Sequence, residues 1–206
     1  MRLRIPNWKR PPLDWLLKDV PRLQIVMRVL GIDCGSRCTG FGIIDSDEQH
    51  HHLVAFGTIQ FQPKDLFSQK LLKVHKEIHQ LIVTYSPQSA AVEDQFYLSN
   101  FQSVMKLGQV KGVVIFTAAD AGIPIYEYSP LQIKSAVTGY GRAEKNQVQV
   151  MVKNILKLAD FPRPHDAADA LALAICHIHT AATCRKMEQA KHQAFKASRE
   201  SLASFK

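Results

Sequence analysis

Short apolar runs that end in acids, alternating with helical repeats, organise most of this chain. Residues 29–33 (VLGID) are apolar up to a terminal acid, the signature of a buried strand. Residues 40–45 (GFGIID) and 53–61 (LVAFGTIQF) give two more strands. The polar stretch 46–52 between them reads as a turn, with His50, His51 and His52 solvated, so an antiparallel meander is expected. Leu66, Leu71, Val74, Ile78, Leu81 and Ile82 recur at helical spacing and predict a helix over 65–85, stopped by Ser86 and Pro87. A strand over 89–92 runs into Glu93, a helix over 100–121 stops at Gly122, and a strand follows over 124–128. Ser129 and Pro130 are placed to cap a short helix over 129–138. A glycine-bearing loop over 138–141 leads to a helix over 144–158, and a break at 160–164 precedes a last apolar helix from near Asp166 to about 183.

Three strands, helix, strand, helix, strand, helices is the order of an α/β protein with a mixed five-stranded sheet flanked by helices. It is the order of an RNase H-like fold. Residues 28–184 form the expected domain, between an extension at 1–27 and a tail at 185–206. Four prolines deny the extension a long helix, and Met27 is an alternative start. The tail reads as a marginal helix or as disordered.

Charge sharpens this division. The net charge of +8 lies entirely in the two ends, +4 in 1–27 and +4 in 185–206, while 28–184 balances fourteen basic against fourteen acidic residues. Basic ends suit a phosphate-bearing partner. Prolines and charges interrupt every apolar run of the N-terminal segment, so it lacks a secretory signal. With no run of about 20 apolar residues to cross a bilayer, a cytoplasmic protein with no membrane partner is expected. Cys34, Cys38, Cys176 and Cys184 form no CxxC pair and are expected to be reduced thiols.

The candidate chemistry lies in four acids. Asp33 and Glu93 each end an apolar strand, where a carboxylate is costly to bury without compensation. Asp166 and Asp169 stand three apart at the start of the last helix, on one face. Asp166 alone would pass for a cap. Asp169, one turn further in, would not. Hard oxygen donors of this kind suit Mg²⁺ or Mn²⁺, and two such ions can cleave a phosphodiester.

Residues 29–45 (VLGIDCGSRCTGFGIID), 91–97 (AVEDQFY), 106–112 (KLGQVKG), 143–151 (AEKNQVQVM) and 166–177 (DAADALALAICH) together resemble the RuvC family of Holliday junction resolvases. The likeness runs in order over residues 28–179. It implies a homodimeric crossover junction endodeoxyribonuclease that makes paired cuts in four-way DNA junctions with two Mg²⁺ ions per site, Mn²⁺ substituting. It implies Asp33, Glu93, Asp166 and Asp169 as catalytic acids. Asp33 and Asp166 would share one ion, with Glu93 helping to hold the second. Phe96 matches an aromatic that wedges into the junction, and Lys134 and Lys145 match basic residues of the DNA cleft. A branch-migration helicase is the implied partner.

Two departures stand out. Cys34 occupies the place of a usual proline, beside the expected metal site. Asp94 is an additional acid after Glu93, and strand alternation turns it the other way. Two other readings fit parts of the pattern. Asp33-Cys34-Gly35 followed by Gly40 fits the phosphate loop of an actin-like ATPase, although such enzymes need two lobes. A catalytically silent nucleic-acid-binding module of the same fold is the other, although all four acids are in place.

Overall fold

The computed structural model describes residues 27–94 and 101–203. Its elements are β1 (Met27–Asp33), β2 (Cys38–Ser46), β3 (His51–Gln60), α1 (Phe67–Tyr85), β4 (Ser89–Glu93), α2 (Phe101–Asp120), β5 (Ile125–Tyr128), α3 (Pro130–Thr138), α4 (Lys145–Ile155) and α5 (His165–Ala203). The strands form one sheet in the order β3-β2-β1-β4-β5. β1, β2 and β3 pair antiparallel, whereas β4 and β5 join parallel to β1 through the crossovers α1 and α2. This is the mixed five-stranded sheet that the element order predicts.

Each face of the sheet is buried under helices. α1 and α2 cover one face, where Leu30, Ile32, Phe41, Ile43, Ala90 and Val92 meet Val74, Ile78, Val110 and Val114. α5, with α3 and α4 outside it, covers the other, where Val29, Ile44 and Ala91 meet Leu171, Leu173 and Ile175. Strand alternation therefore fixes where every strand-end side chain goes. Odd-numbered residues of β1 and β4 face α5. Even-numbered ones face α1 and α2.

The contact of α5 with the sheet is unusually close. A Cβ on Gly31 would collide with the carbonyl of Ala170, and one on Gly40 with the carbonyl of Asp166. Glycine at both positions lets the helix backbone rest directly on β1 and β2, and so sets the height of Asp166 above the sheet. The window 165–192 of α5 is long and apolar enough to cross a membrane, but 61% of it is buried inside the fold. It is the core helix of the domain.

Two expectations change. α5 does not end near 183 but continues as one helix of 39 residues to Ala203, so the residues after 184 begin as its extension. Residues 51 and 52 are not in a turn: β3 begins at His51, which pairs with Ser46. His51 Nδ1 lies 2.9 Å from Ser46 Oγ, and its Nε2 lies 3.1 Å from His179 Nε2 on α5. The third histidine, His50, stays in the turn, where Asp47 holds it. The other helix and strand ends differ from expectation by a few residues, as frayed termini do. Ser129 caps α3 as expected, its Oγ accepting from the Gln132 amide at 3.3 Å.

Candidate active site

Alternation brings the acids together. Asp33 shares the α5-facing parity of Val29 and Gly31, and Glu93 that of Ala91. Ile32 pairs with Val92 across the parallel β1-β4 ladder, so Asp33 and Glu93 end neighbouring strands side by side. Asp166 and Asp169 enter from above on the first turns of α5. The approach allowed by Gly40 seats Asp166 over the end of β2.

The electrostatics record this convergence. Asp33 is held well above the ordinary carboxylate range, at about 8, first by burial and then by the charges of Asp169, Glu93 and Asp166, with Lys145 opposing them. The unfolded chain loses that proton near pH 4. Between about pH 4 and pH 8 the folded state thus holds a proton that the unfolded state has released, and stability falls as pH rises through that window. Buried His177, lowered to about 4 by burial, works in the opposite sense below its ordinary value of 6.5. The Asp33 effect is therefore cleanest between pH 6.5 and pH 8. The melting temperature of the metal-free protein is expected to fall across that interval, and the fall is expected to vanish in Asp33→Asn. Thermal melts in EDTA-containing buffers check this.

Two cross-braces frame the acids. Lys145, at the start of α4, places its Nζ 2.7 Å from Asp169 Oδ2, an ion pair that raises the lysine's pKa. Cys38 opens β2 with the parity of Gly40, and its thiol donates to Asp166 Oδ2 at 3.1 Å. Burial and that hydrogen bond push the thiol up to about 12, so it remains a protonated donor. Sequence reasoning missed Cys38. Its position two residues before a glycine that faces α5 was the available signal.

The other expected features separate. Cys34 does not face the acids: it turns to the opposite face, where it packs partly buried against the α1 and α2 core and its thiol is driven upward. Asp94 likewise turns away and pairs with Lys111 of α2 at 3.1 Å, and Lys111 also binds Glu127. Lys134 is half-buried on α3, and no ion pair joins it to the acids among the described residues. Phe96 lies outside the described residues. All four cysteines are free thiols.

The donor set is four carboxylates on two strand ends and one helix start, which is chemistry for a hard divalent cation. Among the described residues no three side chains are already drawn into a closed ligand set. Burial and the charges of Asp169, Glu93 and Asp166 together raise Asp33. A cation that neutralises the cluster offsets those charges.

Comparison with known proteins bears on the family and the fold. A family model described as crossover junction endodeoxyribonuclease RuvC matches residues 29–177. The crossover junction endodeoxyribonuclease RuvC of Koribacter versatilis is 48% identical over 162 residues, covering 78% of this chain and 98% of the relative. That of Syntrophomonas wolfei is 48% identical over 154 residues, covering 75% and 90%. Among solved structures, Thermus thermophilus RuvC in complex with a Holliday junction substrate is similar at a TM-score of 0.70 and 31% identity, covering 76% of this chain and 96% of that one. The yeast mitochondrial Holliday junction resolvase, at a TM-score of 0.62 and 13% identity, shares the fold.

Proposed function

The chain belongs to the RuvC family of crossover junction endodeoxyribonucleases, and from that premise we propose that Asp33, Glu93, Asp166 and Asp169 form the catalytic site with which it resolves four-way DNA junctions. The activity is hydrolysis of phosphodiester bonds at Holliday junctions in DNA recombination and repair. The observation that carries the site assignment is the convergence of three acids, Glu93 of β4 and Asp166 and Asp169 of α5, on Asp33 at the end of β1. The rival readings lack support of this kind. A phosphate-loop ATPase does not require the acids of α5, and a silent module would not retain all four.

Mg²⁺ is the proposed cofactor, two ions per site, with Mn²⁺ able to substitute. Asp33 and Asp166 would share one ion, and Glu93 would help hold the second. When bound, the ions supply Lewis-acid stabilisation of charge on the phosphate oxygens and make water a nucleophile at neutral pH. The chain's own residues do the rest. Cys38 fixes one oxygen of Asp166, leaving the other for the cation. Asp169 holds Lys145 at the mouth of the site, where the ammonium and the first amides of α4 meet a phosphate. Lys134 and Phe96 are proposed DNA contacts further along the junction. Added Mn²⁺ or Mg²⁺ is expected to raise the melting temperature of the wild type at pH 8 and to leave Asp33→Asn and Asp166→Asn unmoved. An equal rise in all three would count against these ligands.

The active unit is proposed to be a homodimer, since a two-fold junction needs two sites. A stripe on α2 suits the interface. Phe101, Met105, Gly108, Gly112 and Phe116 follow one another at intervals of three and four residues, and all are exposed. Among the described residues nothing stands within 4 Å of a Cβ built on either glycine, so a second helix can come close there. Light scattering of Gly112→Arg is expected to show the mass of one chain where the wild type shows two. Residues 28–184 are the proposed nuclease unit, with 1–27 and 185–206 as basic extensions. A cytoplasmic location and a branch-migration helicase as partner complete the proposal.

A further inference from the structure

A second pair of side chains joins α4 to α5 beside the acids. Lys145 and Gln149 stand one turn apart on α4, and His165 and Asp169 one turn apart on α5. The two helices are clasped by both pairs. Lys145 binds Asp169, and Gln149 Nε2 lies 2.6 Å from His165 Nδ1. Gln149 is only 8% exposed, a carboxamide buried at the helix junction with an imidazole as its partner. His165 itself is exposed at the first position of α5, directly before Asp166.

The Gln149 amide turns its nitrogen to the ring, and an amide nitrogen is a donor only, so in this arrangement Nδ1 accepts. The ring proton of the neutral imidazole then sits on Nε2, and Nε2–H is left for a group from outside the chain. A phosphodiester approaching four carboxylates meets repulsion and needs donors at the rim. Lys145, held by Asp169, is one. The His165 ring, held at Nδ1 by Gln149 and presenting Nε2–H at the start of α5, is a second.

We propose that His165 is a DNA-contacting residue of the site, its Nε2–H donating to a non-bridging oxygen of a backbone phosphate flanking the scissile one, with buried Gln149 as the residue that sets its tautomer and aim. The inference rests on the resolvase reading above. It requires no change in the protonation of the ring.

Junction binding by the full chain in EDTA, measured by fluorescence anisotropy, tests it. His165→Ala is expected to weaken affinity for a synthetic four-way junction by about tenfold, and His165→Asn, which keeps an N–H donor, to recover part of the loss. A scan of neutral methylphosphonates across the phosphates around the cut supplies the decisive comparison. At one position the substitution should weaken the wild type and leave His165→Ala unaffected, and Gln149→Leu should show the same loss of coupling. A purely structural role for His165 would leave every methylphosphonate as costly in the variant as in the wild type, and that result overturns the proposal, even in a variant with a lowered melting temperature. Unchanged affinity of His165→Ala also overturns it. A wild type that binds the junction no better than linear duplex would instead strike at the resolvase reading.

Discussion

Asp33→Asn is expected to lower junction cleavage by about a thousandfold or more while making the metal-free protein more stable at pH 8. The two effects share one cause. Asp33 is buried among like charges, and ionising it costs the folded state. Asparagine keeps the shape and removes the charge, so the cost disappears and the cation ligand is lost with it. Junction binding should survive, because the side chain lies at the end of a strand beneath α5 and not on the rim. Three measurements check this variant: single-turnover cleavage, junction affinity, and melting temperature in EDTA at pH 6.5 and pH 8. A variant that cleaves at the wild-type rate, or that melts lower than wild type at pH 8, contradicts the account.

Gly40→Ala is the second large effect. Its added methyl would collide with the carbonyl of Asp166, a backbone atom of the core helix, so no side-chain rotation can relieve the contact. Overpacking of this kind costs about 1–3 kcal/mol and occasionally more. Relief must come from α5 lifting away from β2, which moves Asp166 and breaks its contact with Cys38. Cleavage is therefore expected to fall about a hundredfold, as it does when reacting groups are misplaced by about 1 Å, together with a lower denaturation midpoint in urea. Phe41→Tyr, next door but facing α1 and α2, should lose stability without a matching loss of catalysis per folded molecule. Equal activity of Gly40→Ala and wild type would show that the height of α5 is not what seats Asp166.

Much of this was legible in the sequence because period-two alternation is so strict in β1 and β4. Asp33 and Glu93 stood out as acids at the ends of apolar strands, and the structure turns both to the same face. Asp166 was ambiguous as a single residue, since an acid at a helix start is ordinarily a cap. The structure places it one residue inside the helix, after His165, and bonded to Cys38. What the sequence hid was contact between distant elements. Nothing local marks Cys38 as a partner of a residue 128 positions away. Nor does anything local mark Gln149 as the partner of His165. Cys34 drew attention for its neighbour Asp33, yet adjacency in a strand means opposite faces. The three histidines at 50–52 looked like a turn by polarity alone, and for His51 and His52 pairing with β2 overrode that composition, His51 also meeting His179 of α5. Residues past 184 read as either a marginal helix or disordered, because their polar sequence carries no core-facing repeat, and the structure continues α5 as a helix to Ala203.

The central claim is that these acids make one metal-dependent site for four-way junctions. It is tested most directly by incubating the purified full chain with a synthetic four-way junction, end-labelled on each strand in turn, in Mg²⁺ and in EDTA. Paired nicks are expected at symmetric positions in two opposing strands, giving ligatable duplexes in Mg²⁺ and no product in EDTA, with linear duplex of the same sequence left uncut. Cleavage that persists in EDTA, or that falls equally on linear duplex, would contradict the claim.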